Sequence, residues 1–600
     1  MLDLLSRLSL KLLPAVLFAV GLAFLSTSTS CAEAPADFRP LVSEAIKRGE
    51  TKIEIPRGTY HLAPEAGQRV VWTLQNLHDT EIIADGVMLV STKPTSAIHL
   101  DHCARVAIRG LTVDYDPLPF TQGVVSAVAD DLGWIDVKLH AGYPRRPYSR
   151  IDVVDPATRF RKKGMPFLWG TKAEMQGPDT VRVFLKDIGR AATVGDLASL
   201  STGPDRDGVP HAVSLERCVA VTLRGVTVHS APGMGIIESD GDGKTEYLEC
   251  RVVPGPPPGG ATEERLLSTS WDAMQTKTVR TGPRVERCEI ISAGDDSWSV
   301  QSADFLVLKK TGLTLLLASR DEYTIGVDTG DRLKARIGGP EATVRTRRGL
   351  SREEAQLDPE VIAKLKDAPG WSEWNVSPHC IEVTLDSDLP VQVGESLYSP
   401  DRMGNGFAFI DNRIHSPGRI LIKASGRIEG NLLETPHALT VCPEIPANAA
   451  AGIDGLVIRR NRIIRAGWFC PAPWSAAAGA LSITASGKPP DLRPAGVFAN
   501  ILIEDNTFEE CSGPNIVASS VGGLAIRGNR FIRPQHDKPP DTGASYRIAK
   551  SAVMWIAESD DVDLKDNSVV DPGPFAGEQV IVGHAVKTVP ASKSPSSKSP

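Results

Sequence analysis

Asn506-Thr507-Phe508 and, 23 residues further on, Asn529-Arg530-Phe531 are two copies of one short pattern, and that pattern decides the fold. An apolar residue and a charged or small one lead into Asn, Cys or Gly, then any residue, then a β-branched or other apolar residue. Working outward, it recurs at Asn461-Arg462-Ile463, Asn431-Leu432-Leu433, Asn412-Arg413-Ile414 and Asn567-Ser568-Val569. Towards the N-terminus Cys or Gly takes the slot, in Cys288-Glu289-Ile290, Cys250-Arg251-Val252, Leu223-Arg224-Gly225-Val226 and Ile108-Arg109-Gly110-Leu111. A short strand, a turn and another strand every ~20–25 residues make one coil of a right-handed parallel β-helix. Coils stack at about 4.8 Å, so like residues form ladders along the axis. Asn suits the bend because it tolerates left-handed φ and bonds to its ladder neighbours. Buried Cys fills the same slot as a small hydrophobe. These Asn and Cys are therefore read as structural.

Composition agrees with this. The chain has 600 residues with 45 Pro and 53 Gly, which leaves few places for long helices. At 41% hydrophobic and 23% charged it is ordinary globular usage, excluding wholesale disorder and a polytopic membrane protein. A net charge of −7 offers no basic face for nucleic acid. The expected fold class is all-β, a right-handed parallel β-helix over 37–575. Length alone suggests three or four domains; the repeat makes them one elongated solenoid.

Two stretches break the rhythm, 121–212 and 309–400. Val124, Ser126 and Val128, and then Val181 to Leu185, alternate as longer strands do. Both stretches read as small antiparallel β modules walling a groove. A short helix is expected near Ser351–Lys366, where Ser351 and Glu354 fit a capping box. Residues 1–32 read as an export signal: Arg7 and Lys11, an apolar run from Leu12 to Leu25, then small residues around Cys31. That run is too short to span a bilayer. Ser28 stands where a lipidated Cys31 would want Leu, so lipid anchoring is not expected. Residues 585–600 read as a disordered tail. The protein is expected to be exported, periplasmic or extracellular, without a membrane span. Its Cys are too sparse for a disulfide scaffold. With neither CxxC nor His-x-His, no zinc site is expected, and no metal or cofactor is assigned. Oligomeric state is not read from the sequence.

Chemistry concentrates at Ala293-Gly294-Asp295-Asp296-Ser297-Trp298, with Ser270-Trp271-Asp272-Ala273-Met274-Gln275 upstream. Asp272 precedes Asp295 by 23 residues, about one coil, so three carboxylates converge on one face. Glycoside hydrolysis needs one carboxylic acid to protonate the leaving oxygen and one carboxylate to attack or to activate water. Trp271 and Trp298 beside the acids suit sugar stacking, although either Trp also fits the core. Gln275, Glu238, His229 and Lys423 are candidate sugar contacts, and Asp240, Arg402 and Asn405 are weaker ones. No bidentate Glu follows Asp240 and Asp242 at the spacing of an EF-hand loop. The partner implied is an oligosaccharide or polysaccharide glycan.

The Asp272 segment and Gly294-Asp295-Asp296 resemble glycoside hydrolase family 110. So do the stretches Asp114-Tyr115-Asp116-Pro117 to Gly123, Gly418-Arg419-Ile420-Leu421-Ile422-Lys423 and the opening Ile53-Glu54-Ile55-Pro56-Arg57-Gly58-Thr59-Tyr60. The resemblance covers roughly 37–575. It implies a secreted, exo-acting, inverting α-1,3-galactosidase with Asp272, Asp295 and Asp296 as its catalytic acids. An inverting pair is expected about 6.5–9.5 Å apart, to admit a water. Ala273 and Gln275, where the family pattern suggests Gly and His, and Ser297-Trp298 are departures that bear on sugar specificity. Two alternatives stand beside this reading. One is a polysaccharide lyase, disfavoured because no basic cluster accompanies Asp295 and Asp296 in sequence. The other is a non-catalytic carbohydrate-binding solenoid.

Overall fold

The computed structural model describes residues 36–166, 168–186, 191–202, 210–302, 304–319, 326–335, 337–357, 359–365, 379–437, 439–442, 452–469, 478–486, 489–583 and 585–588. The expected export signal and most of the expected tail lie outside these residues.

Three parallel sheets of 13, 12 and 12 strands wind as a right-handed β-helix. Sheet one starts at Lys52–Glu54, sheet two at Gly58–Leu62 and sheet three at Val70–Gln75, and every later coil repeats that order. A helix, Arg39–Lys47, closes the N-terminal end, with Phe38 packed edge-on against Tyr60 and Trp72. Coil strands persist through Val580–Val582 and Val586–Thr588, beyond 575, because each still has a rung to pair with.

The repeat residues form a continuous hydrogen-bonded ladder. Asn412, Asn431, Asn461, Asn506, Asn529 and Asn567 stack in the interior; along this series each backbone N–H and side-chain amide donates to the Oδ1 of the next Asn. Cys288 continues the ladder, its N–H donating to Asn412 Oδ1 at 2.8 Å. The left-handed residue is the one before each Asn, as at Asp411, Gly430, Arg460, Asp505, Gly528 and Asp566. The expectation that Asn itself takes positive φ is corrected. Its amide is needed inside to satisfy buried backbone groups, and the bend falls on the exposed neighbour.

Both interruptions are antiparallel β modules. The first is a seven-stranded sheet from Thr121–Val128 to Leu197–Ser201. It leaves from the end of sheet two at Tyr115 and returns at the start of sheet three at Val213. The second is a closed six-stranded barrel between Asp304–Thr311 and Ser396–Tyr398. It leaves from the opposite end of sheet three, after Gln301. The Ser351/Glu354 capping box forms, followed by the short helices Arg352–Ala355 and Pro359–Leu365. The outer face of sheet three thus runs between the two modules.

Buried ion pairs brace the solenoid where the modules join it. Arg265 makes a bidentate pair with Asp114 at 2.8 and 2.9 Å beside the first module. Arg402 joins Asp331 and the Asp240 carbonyl beneath the barrel, and Asp240 accepts from Thr278 and from the Gly326 N–H. Asn405 accepts from the Ser425 N–H. Asp240, Arg402 and Asn405 therefore serve the attachment of the barrel and the stacking of coils. They are not placed as sugar contacts.

Candidate active site

Strand register assembles the acids. Met274 pairs with Trp298, and Trp298 with Ile420. Counting back two residues aligns Asp272 with Asp296 and with Gly418. The rung partner of Asp272 is thus Asp296, 24 residues on, and Asp295 sits one residue aside. Carboxylate oxygens of all three lie within 4.8 Å of one another. Asp272 and Asp296 are buried and Asp295 is partly open. The backbone is tight here: a Cβ on Gly294 would come within 2.5 Å of the Ser270 carbonyl, and one on Gly418 would collide with the Asp295 carbonyl. Both positions require glycine.

Two acids face guanidinium groups and the third an amide. Arg419 Nε donates to Asp296 Oδ1 at 2.7 Å, and Arg150 Nη1 lies 3.6 Å from Asp295 Oδ2. Gln275 Nε2 donates to Asp272 Oδ2 at 3.0 Å. Arg150, from the strand Arg150–Val154 of the first module, also donates to the Ser270 and Gly294 carbonyls. Those carbonyls immediately precede the two acid-bearing turns. Asp152 accepts from Arg161 at 2.9 Å and pairs with Arg150 at 3.3 Å. A basic cluster therefore does accompany the acids, contrary to the sequence reading. Two of its members come from an insertion more than a hundred residues away in sequence, and all three are ion-paired.

The same row carries two histidines that sequence reasoning missed. His211 lies two rungs before Asp272, by the pairing of Val213 with Ile236 and Ile236 with Met274, and His437 lies one rung beyond Gly418. Burial pushes His211 down to about 4, and its Nδ1 accepts from the Met234 N–H. Burial, then the Arg419 and Arg161 charges, holds His437 well below the ordinary imidazole range. Both are neutral imidazoles at physiological pH. A signal existed: each stands two residues before an apolar strand residue, as Asp272 does before Met274.

Other candidates divide by the parity of sheet three. Gln275 and Ser299 point outward, Met274 and Trp298 inward. Trp298 is fully buried, stacked on Phe409 at 4.4 Å and edge-on to Phe407, so it is a core residue and not a sugar platform. Trp271 is half-buried, and its indole N–H has no hydrogen-bond partner among the described residues. The exposed Trp169 of the first module lies under the Arg150 guanidinium at 4.8 Å. Lys423 follows the inward Ile422 and extends the outward row of Lys277 and Gln301. His229 is half-buried, its Nδ1 3.3 Å from the Val253 carbonyl near Arg265.

Glu238 is corrected too. It pairs in register with Leu215 and Thr276 and points into the solenoid, where it accepts from the Thr245 and Tyr247 hydroxyls. Burial raises its carboxyl from 4.5 to about 7. The folded protein then binds a proton that the unfolded chain has already lost. Glu238's contribution to stability is full below pH 4.5, falls by about 3 kcal/mol as pH rises to 7, and is flat above. Denaturant titration of Glu238→Gln is expected to lose this slope and to exceed the parent protein's stability at pH 8. Equal slopes in the two proteins would refute it.

Fold and site together define a parallel β-helix protein with a carboxylate trio beside an inserted β module. No family-wide sequence profile matches the chain. It is similar to alpha-1,3-galactosidase A of one Bacteroides fragilis strain, 23% identical over 554 residues, covering 82% of this chain and 84% of that one. To the enzyme of a second strain it is 22% identical over 559 residues, with the same coverage. Among solved structures, a family 28 exopolygalacturonase from Yersinia enterocolitica is 10% identical at a TM-score of 0.39, covering 94% of this chain and 77% of that one. The A-module of a mannuronan C-5 epimerase from Azotobacter vinelandii is 9% identical at 0.36, covering 93% and 97%. The resemblance to glycoside hydrolases of the α-1,3-galactosidase family is borne out over most of the chain.

Proposed function

We propose that this protein is an exported, exo-acting glycosidase that removes terminal α-galactose, α-1,3-linked or similar, with inversion. The observation that carries the reading is the trio of Asp272, Asp295 and Asp296 on adjoining rungs of sheet three. The charge-assisted bond from Arg419 favours Asp296 as a carboxylate, which suits the general base that activates water. The acid is then Asp272 or Asp295. Trp271 and the polar row of Gln275, Ser299, Gln301 and Lys423 line the outward face, where sugar hydroxyls would bond. Modules at both ends of the sheet-three strands suit a chain end more than a polymer passing through. Export rests on reading residues 1–32, with their apolar run from Leu12 to Leu25, as a leader.

Two points bear on the mechanism and its rival. The nearest carboxylate oxygens are closer than the about 6.5–9.5 Å of a usual inverting pair, so inversion rests on the family resemblance. The arginines of the cluster are already paired with Asp152, Asp295 and Asp296. That leaves the lyase reading, which needs cations to neutralise a uronate, without support.

The test is a panel of aryl glycosides with the product anomer followed by NMR. Aryl α-galactosides are expected to be cleaved with β-galactose appearing first. α-Galactose first would overturn inversion and match the short carboxylate separation. If no aryl glycoside is cleaved, the enzyme reading fails in favour of a binding solenoid. Unsaturated, ultraviolet-absorbing products from uronate polymers would identify a lyase.

A further inference from the structure

Two and three coils before the Asp272 rung, sheet three carries a second group of ligating side chains. His99 and Asp101 point outward from Ser96–Asp101, on either side of the core residue Leu100. The adjoining strand Val213–Glu216 pairs Ser214 with His99 and Glu216 with Asp101. One ligand atom from each of His99, Asp101 and Glu216 lies within 4.8 Å of the others. His99 Nε2 stands 3.9 Å from Glu216 Oε2. That is too long for a hydrogen bond and short enough for one ion to bridge at about 2.0–2.2 Å from each.

Neighbours orient each ligand. His99 Nδ1 bonds Ser214 Oγ at 2.8 Å, which turns Nε2 towards Glu216. Asp101 is held by Gln75 Nε2 at 2.8 Å and His102 Nδ1 at 2.6 Å, and Arg217 takes the other Glu216 oxygen at 2.9 Å. A ligating imidazole fixed through its second nitrogen, with carboxylates bonded from outside, is how protein metal sites are built. The trio of Asp272, Asp295 and Asp296 offers oxygen alone, whereas this group adds a nitrogen and so selects a borderline ion over calcium or magnesium.

We infer that His99, Asp101 and Glu216 bind one divalent transition-metal ion of the zinc class, with solvent completing its coordination. The first module separates these two coils in sequence, so the ion clamps the solenoid together where the chain departs and returns. The clamp is independent of the proposed catalysis.

Calorimetric titration of the full chain with zinc chloride tests it, alongside thermal unfolding with zinc or with chelator. Expected are one saturable equivalent and a raised Tm with zinc. His99→Ala and Glu216→Gln should each weaken binding by more than about 100-fold, and Ser214→Ala by roughly 10-fold. Asp272→Asn should bind as the parent does. Aryl α-galactoside hydrolysis, if present in the parent, should survive in His99→Ala. Absence of one-to-one binding, or undiminished binding by His99→Ala with its chelator-treated Tm unchanged, overturns the site. Loss of binding in Asp272→Asn would move the ion to the trio and also overturn it.

Discussion

Asp296→Asn is expected to lower aryl α-galactoside hydrolysis by roughly 10²–10⁴-fold, equally for good and poor leaving groups. The reason is its place in the trio. Arg419 holds Asp296 at 2.7 Å and favours its anion, the form a base needs. A variant lacking the base loses water activation whatever the aglycone. The acid behaves differently, because a dinitrophenyl group leaves without protonation. Of Asp272→Asn and Asp295→Asn, the one that removes the acid should retain dinitrophenyl hydrolysis while losing alkyl glycosides. Steady-state kinetics on both substrate types separates these cases. If Asp296→Asn spares the dinitrophenyl substrate, Asp296 is the acid and the assignment reverses. If all three variants hydrolyse as the parent does, the trio is not catalytic.

Arg150→Ala is expected to reduce kcat by about 100-fold with little change in KM, although Arg150 belongs to the inserted module and is read as a positioning residue. One guanidinium bonds the carbonyls of Ser270 and Gly294, lies 3.6 Å from Asp295 and pairs with Asp152. Those two carbonyls belong to the peptides entering Trp271-Asp272 and Asp295-Asp296. Without the fork, the two turns lose their common brace and the acids drift relative to one another. Loss of one member of so buried a pair also costs about 3–5 kcal/mol of stability. Arg150→Lys tests the geometry, because an ammonium keeps the charge but presents no planar fork to span two acceptors. It should keep more stability than Arg150→Ala yet recover little kcat. Rates per folded molecule, measured well below each Tm, decide the matter. Parent-like kcat in the folded fraction of Arg150→Ala would reduce Arg150 to a stabilising residue.

Much of the architecture was legible because a solenoid writes its period into the chain. Asn412 to Asn567 mark coil after coil, since each must satisfy the same buried backbone groups. The grouping of Asp272, Asp295 and Asp296 followed from coil length alone. Side-chain direction did not, as Trp298 shows. One residue of parity decides whether a ring stacks on Phe409 or faces the groove, and spacing quoted to the nearest coil does not resolve one residue. The same limit made Glu238 look like a sugar contact and paired Asp272 with Asp295 in place of Asp296.

The sequence by itself determined the repeat, the all-β solenoid, the two interruptions and the convergence of three carboxylates. All of these follow from local pattern and a fixed rise per coil. Only the tertiary structure decided what surrounds the carboxylates. Arg150 and Arg161 arrive from a module inserted between two coils, and His211 and His437 share the row through register. His99 and Glu216 meet across that same insertion. Contacts made across an insertion have no period, and which face a side chain takes depends on a register that pairing between whole strands sets.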